Sequence, residues 1–93
     1  MHITMVKKIK ADGSPCRKCA DVEQRLNDAG LRERIDTVAI ADERDPDSRG
    51  MQLAREHDVE RAPFFIVEDD AGNTSIYTIY HQLLKEVLGV GPR

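Results

Sequence analysis

"ADGSPCRKCADV", residues 11–22, holds both cysteines of this 93-residue chain, Cys16 and Cys19, with Arg17 and Lys18 between them. A zinc clip, two inert thiols and a redox dithiol all use such spacing, so the surrounding elements decide. Upstream, "ITMVKKI" (3–9) is rich in β-branched and apolar residues and predicts a strand, closed by a Gly-Ser-Pro turn. Downstream, Val22, Leu26 and Ala29 recur at steps of four and three, which predicts one face of a helix that Gly30 ends as a C-cap. Ser14 is expected as the N-cap and Pro15 as the first helical residue. Cys16 would then lie where unpaired N–H groups and the positive end of the helix dipole converge. That field favours the thiolate, the form that attacks a disulfide, and Arg17 and Lys18 add cationic charge beside it. Cys19, nearly one turn on, comes back beneath Cys16, close enough for a disulfide to close.

Working outward, "IDTVAIA" (35–41) predicts a second strand, cut off by the polar run "DERDPDS". Asp45 followed by Pro46 reads as a helix start, and Met51, Ala54 and His57 or Asp58 would share the inner face of the helix that follows. Gly50 inside it costs about 1 kcal/mol relative to alanine. "FFIVE" (64–68) and "TSIYT" (74–78), joined by the turn residues "DDAGN", predict a hairpin. Ile79, Tyr80, Leu83, Leu84, Val87 and Leu88 then repeat with helical period, and Gly89 stops the helix; the terminal "GVGPR" has little to pack and is expected to fray. The order β-α-β-α-β-β-α implies a parallel crossover followed by an antiparallel hairpin. The expected fold class is therefore α/β, one domain over residues 1–93 with its ordered core at about 3–89, a mixed four-stranded sheet packed between helices.

Composition narrows the partners. Lys and Arg number 14 against 17 Asp and Glu, a net charge of -3, so no cation excess is available for a nucleic-acid backbone. Charged residues make up 33% of the chain and apolar ones 40%, with four aromatics, which fits a small aliphatic core under a wet surface. "MHITMVKKIK" lacks the apolar core and cleavage site of a secretory signal, and no run of about 18 apolar residues would span a membrane. A cytoplasmic monomer is expected. In that compartment a close cysteine pair is catalytic or metal-binding more often than structural. Zinc needs about four ligands, and His2, His57 and His81 are scattered without paired spacing. Glu68, Asp69 and Asp70 read as a solvated hairpin loop, and Tyr77 and Tyr80 as half-buried residues bordering the last helix.

With "CRKC" just after a strand and at a helix start, the chain resembles the thioredoxin superfamily, and within it the small glutaredoxin-like members, over roughly residues 3–89. "DERDPDSRGMQLAREHDVERAPFFIVED" is similar to the family's second helix, cis-proline segment and hairpin strand. The resemblance implies a thioredoxin-like, glutaredoxin-type fold in which Pro63 is the cis-proline facing the cysteines and the backbone of Ala62 pairs with an incoming chain. Pro15, Arg17 and Lys18 would border that substrate surface. In place of the Gly-Gly-x-Asp segment with which glutaredoxins hold glutathione stands "SIYTIYHQ". The expected activity is thiol-disulfide exchange, Cys16 attacking and Cys19 resolving, on a disulfide-bearing protein. A reductase or a small thiol would donate electrons, and no bound cofactor or metal is implied. The alternative is a non-enzymatic module of the same fold that binds a partner protein, a metal or an iron-sulfur centre through the cysteine pair.

Overall fold

Val, Ile and Thr crowd the segments that lie extended. In a computed structural model of the chain, which describes residues 1–89, β1 spans His2–Ile9, β2 Thr37–Asp42, β3 Phe64–Glu68 and β4 Thr74–Tyr77. Helix α1 covers Arg17–Asp28, α2 Arg49–Glu56 and α3 Tyr80–Glu86. The fraying expected of "GVGPR" beyond Gly89 lies outside the described residues. The strands form one sheet in the order β2-β1-β3-β4. β1 runs parallel to β2, with Val6 level with Ala39, and antiparallel to β3, with Val6 level with Phe64. β3 and β4 are antiparallel and joined by the turn read from "DDAGN", where Asp69 accepts the N–H groups of Ala71 and Asn73 and Gly72 sits at φ +85°. The mixed four-stranded α/β sheet expected from the sequence is present.

Period-two alternation sends the side chains of the central strands to two cores. Ile3 and Met5 of β1 and Phe65 and Val67 of β3 meet Leu26 of α1 and Leu83 of α3 on one face. Val6, Phe64 and Ile66 meet Leu53 of α2 together with Ala39 and Ala41 on the other. β3 therefore reads as a continuous apolar run because both of its faces are covered. Burying a side chain such as Leu26, 0% exposed, contributes roughly 1.5–3 kcal/mol.

Several boundaries differ from the sequence expectation, each for a local reason. Helix α1 begins at Arg17 with Cys16 as its N-cap, so neither Ser14 nor Pro15 fills the role expected of it. At the other end, Ala29 is the exposed C-cap instead of a core residue, while Gly30 takes the left-handed φ of +71° that ends the helix. Residues 32–34 form a single 3₁₀ turn, which shortens the second strand from the expected start at 35 to Thr37. α2 starts after Ser48, not at Asp45-Pro46: Asp45 instead accepts the N–H of Asp47 in a turn, and Ser48 Oγ accepts the N–H of Asp42. The inner face of α2 is Gly50 and Leu53, with Met51 and Ala54 half-buried beside them. Ile79, expected inside, is the N-cap of α3 and 47% exposed.

Candidate functional site: a dithiol at a helix start

The turn after β1 folds the chain back on the strand it has just left. Lys10 N–H donates to Ser14 O at 2.9 Å, Gly13 N–H to Lys10 O at 2.9 Å, and Pro15 lies antiparallel beside Ile9. Gly13 makes this reversal possible at φ +85°, and Asp12 Oδ1 secures it by accepting the N–H of Ser14. Proline, with no N–H to offer, is tolerated at this edge. Cys16 is thereby laid against the end of β1, its N–H donating to Lys8 O at 3.2 Å.

From there the helix turns and sets Cys19 under Cys16. The Cys19 N–H donates to Cys16 Sγ at 3.2 Å, so the sulfur occupies the position usually held by a capping oxygen. Lys8 N–H donates to Cys19 Sγ at 3.4 Å. One residue of β1 thus holds both cysteines through its backbone. Both thiols are free and buried, Cys16 keeping 8% of its surface exposed and Cys19 2%. Burial, followed by the hydrogen bond to Cys16, pushes the Cys19 thiol up to about 12 against the pull of the Lys8 N–H and the Lys7 charge. The pair is asymmetric: a capping sulfur with a small exposed edge above a deeper thiol held neutral.

Lys7 and Glu23 were not singled out by the sequence reading. Lys7 Nζ reaches Glu23 Oε1 at 2.8 Å, and Arg32 Nε reaches Glu23 Oε2 at 3.3 Å, tying β1, α1 and the 3₁₀ turn together beside Cys19. The Lys7 ammonium, with Arg32 second, holds the Glu23 carboxyl below its usual range. The available signal was Glu23 lying four residues after Cys19, on the same helix face. The holding role of the Lys8 backbone left no trace in residue identity.

Of the residues expected to border a substrate, Lys18, Ala62 and Pro63 come together, with Val22, Thr78 and Tyr80, around a cleft of about 150 Å³. The Ala62–Pro63 peptide bond is cis and Pro63 is buried. Carried one step beyond Val6 and Phe64, the β1–β3 register sets Pro63 level with Lys7, next to the residue that holds the cysteines. Arg17 and Pro15 are exposed and do not wall this cleft. Tyr77 and Tyr80 are half-buried, as expected from their place beside α3.

The histidines lie apart: His2 Nε2 meets Thr37 Oγ1 at 3.0 Å, His57 is the C-cap of α2, and His81 is exposed on α3. Among the described residues no three His, Cys, Asp or Glu side chains are grouped to hold a metal ion, and no helix is long and apolar enough to cross a membrane. Fold and site together define a small mixed α/β protein with a dithiol at the start of its first helix. In comparisons with known proteins, the chain matches no family model, no curated protein and no solved structure.

Proposed function

We propose that the chain is a thiol-disulfide oxidoreductase of thioredoxin type, working on disulfide-bearing proteins in the cytoplasm. The observation that carries this reading is the Cys16 Sγ accepting the Cys19 N–H at the head of α1. At that position the sulfur receives a backbone N–H held in fixed orientation and faces the N-terminal end of the helix dipole. The sheet order β2-β1-β3-β4 and the cleft between Lys18 and Pro63 are in keeping with the glutaredoxin-like arrangement.

In the reaction, the Cys16 thiolate attacks one sulfur of the substrate disulfide. A Cys16–substrate bond forms, the substrate S–S bond breaks, and the first substrate thiolate leaves. Cys19 then gives up its proton and attacks Cys16 Sγ, releasing the second substrate thiolate and leaving a Cys16–Cys19 disulfide. Two electrons have passed to the substrate, which takes up two protons. A small thiol or a reductase restores the dithiol. The Cys19 thiol, pushed up to about 12, stays protonated during the first step and leaves Cys16 as the attacking sulfur; it has to lose that proton for the second.

Reduction of insulin by dithiothreitol, with and without the protein, tests the reading. Acceleration by the wild type, its loss in Cys16→Ser, and a trapped mixed disulfide in Cys19→Ser are the expected results. Equal rates with wild type and Cys16→Ser would discard it.

A further inference from the structure

On the sheet face covered by α2 lies a second opening of about 290 Å³, floored by Ala41 and Phe64 and walled by Met51, Ala54, Val59 and Ala62. It is empty for want of side-chain volume: Gly50 brings the first turn of α2 down onto β2, while three alanines leave the space beside it unfilled. The size is at the lower end of the ~300–1,000 Å³ usual for ligand pockets, right for one or two side chains and small for a cofactor. Its rim carries Lys8, Arg55 and Arg61 against Glu43, Asp58 and Glu60. Among the described residues none of these six is ion-paired, and their charges sum to zero. A neutral rim over an apolar floor attracts neither an acidic nor a basic segment and suits an uncharged one.

Two residues connect this opening to the dithiol. Lys8 lines it and holds both cysteines through its backbone. Ala62 lies between it and the cleft beside Lys18, walling both. The backbone N–H groups of Glu60, Arg61 and Ala62 find no acceptor among the described residues, so an extended chain lying along them would gain hydrogen bonds. A chain held there with its disulfide at Cys16 would bring a neighbouring side chain to the opening.

Resting on the oxidoreductase reading, we infer that this cavity selects polypeptide disulfides that carry an aliphatic residue, such as leucine, close to the reacting cysteine. Burying one such side chain favours the bound substrate, and a partly enclosed site should give a preference of about tenfold.

The test uses two disulfide-linked synthetic peptides that differ only in Leu or Gly beside the cysteine, with dithiothreitol as reductant and bis(2-hydroxyethyl) disulfide as a substrate too small to reach the cavity. The Leu peptide should show a kcat/KM about tenfold above the Gly peptide, and Ala54→Leu, which fills the space, should bring that ratio towards one. Equal values for the two peptides, with the small disulfide still reduced, would refute the pocket and leave the dithiol chemistry standing. A Leu preference that survives in folded Ala54→Leu would also refute it. Failure to reduce even the small disulfide would remove the activity on which the inference rests. Should Ala54→Leu not fold, the wild-type comparison of the two peptides still decides.

Discussion

The N–H of Cys19 points at the Sγ of Cys16, 3.2 Å away, while Cys19's own sulfur takes the N–H of Lys8 from the strand below. Two sulfurs three residues apart thus live in different surroundings, one at a helix mouth and one against a β-strand. Differences in their reactivity follow from that geometry.

Cys19 should titrate late. With the thiol pushed up to about 12 from an ordinary value near 9, its thiolate fraction rises tenfold per pH unit throughout pH 8–11. An ordinary cysteine would level off above about pH 9.5. Brief iodoacetamide exposure of the reduced protein, followed by peptide mapping, reads this directly, and a plateau at Cys19 near pH 9.5 would contradict the burial. Stability carries the same signature. Above pH 9 the unfolded chain loses the Cys19 proton first, so the preference of the fold for the neutral thiol is intact below pH 9 and is lost as pH rises towards 12. Relative to Cys19→Ala, the wild type should lose stability over that window.

Arg17 and Lys18 should tune the reduction potential only slightly. Both side chains are exposed, so each stabilises a nearby thiolate through water, by roughly 0.2–1 kcal/mol. For a two-electron couple 30 mV corresponds to about 1.4 kcal/mol, so replacing both with glutamine should shift the potential by about 10–40 mV. Removing the cations disfavours the reduced form, hence the shift is towards more negative values. Equilibration against glutathione measures it, and a shift beyond about 60 mV would mean that the charges act in a drier setting than the structure gives them.

Much of the site was legible because its residues announce themselves locally. Cys16 and Cys19 lie three residues apart in sequence, the strand before them is apolar, and Val22 and Leu26 repeat with the period of a helix. What failed was local capping logic. Ser14 and Pro15 have the right chemistry to begin a helix, but the chain spends residues 10–15 on a reversal that pairs Pro15 with Ile9, and only then can the helix start. The same logic failed at Asp45-Pro46, where the Asp45 carboxylate accepts the N–H of Asp47, two residues ahead of the helix. Lys8 acts through its peptide groups, which every residue shares, so nothing in its identity betrays it. Glu23 needed knowledge of which strand the helix faces.

Glu23 should matter to stability more than a typical surface acid. Two cations converge on it, its side chain is 24% exposed, and it joins three elements, which puts the cost of Glu23→Gln at about 1 kcal/mol. Because Lys7 and Arg32 hold the carboxyl below its usual range, the stabilisation is present above the ordinary carboxylate pKa and lost as pH falls through the lowered one. Urea midpoints of wild type and Glu23→Gln should differ at pH 7 and converge at acidic pH. A constant gap would assign the loss to packing.

Gly50 sets two opposed effects against each other. In an isolated helix Gly50→Ala would gain about 1 kcal/mol. In this fold, a Cβ at residue 50 would lie 2.2 Å from the backbone N of Ala41 and 2.4 Å from the carbonyl carbon of Ile40. Those atoms belong to β2, which is paired to β1 along its length, so the strand cannot yield and α2 must lift instead. Lifting it opens the contacts of Leu53 with Ala39, Ala41 and Ile66. Overpacking of this kind costs roughly 1–3 kcal/mol or more, and against backbone the upper end applies. The net expectation is destabilisation by about 2 kcal/mol, seen as a lower urea midpoint with an unchanged slope. A more stable Gly50→Ala protein would mean that α2 does not sit on β2 as closely as described, and the cavity beside Ala54 would have to be reshaped with it.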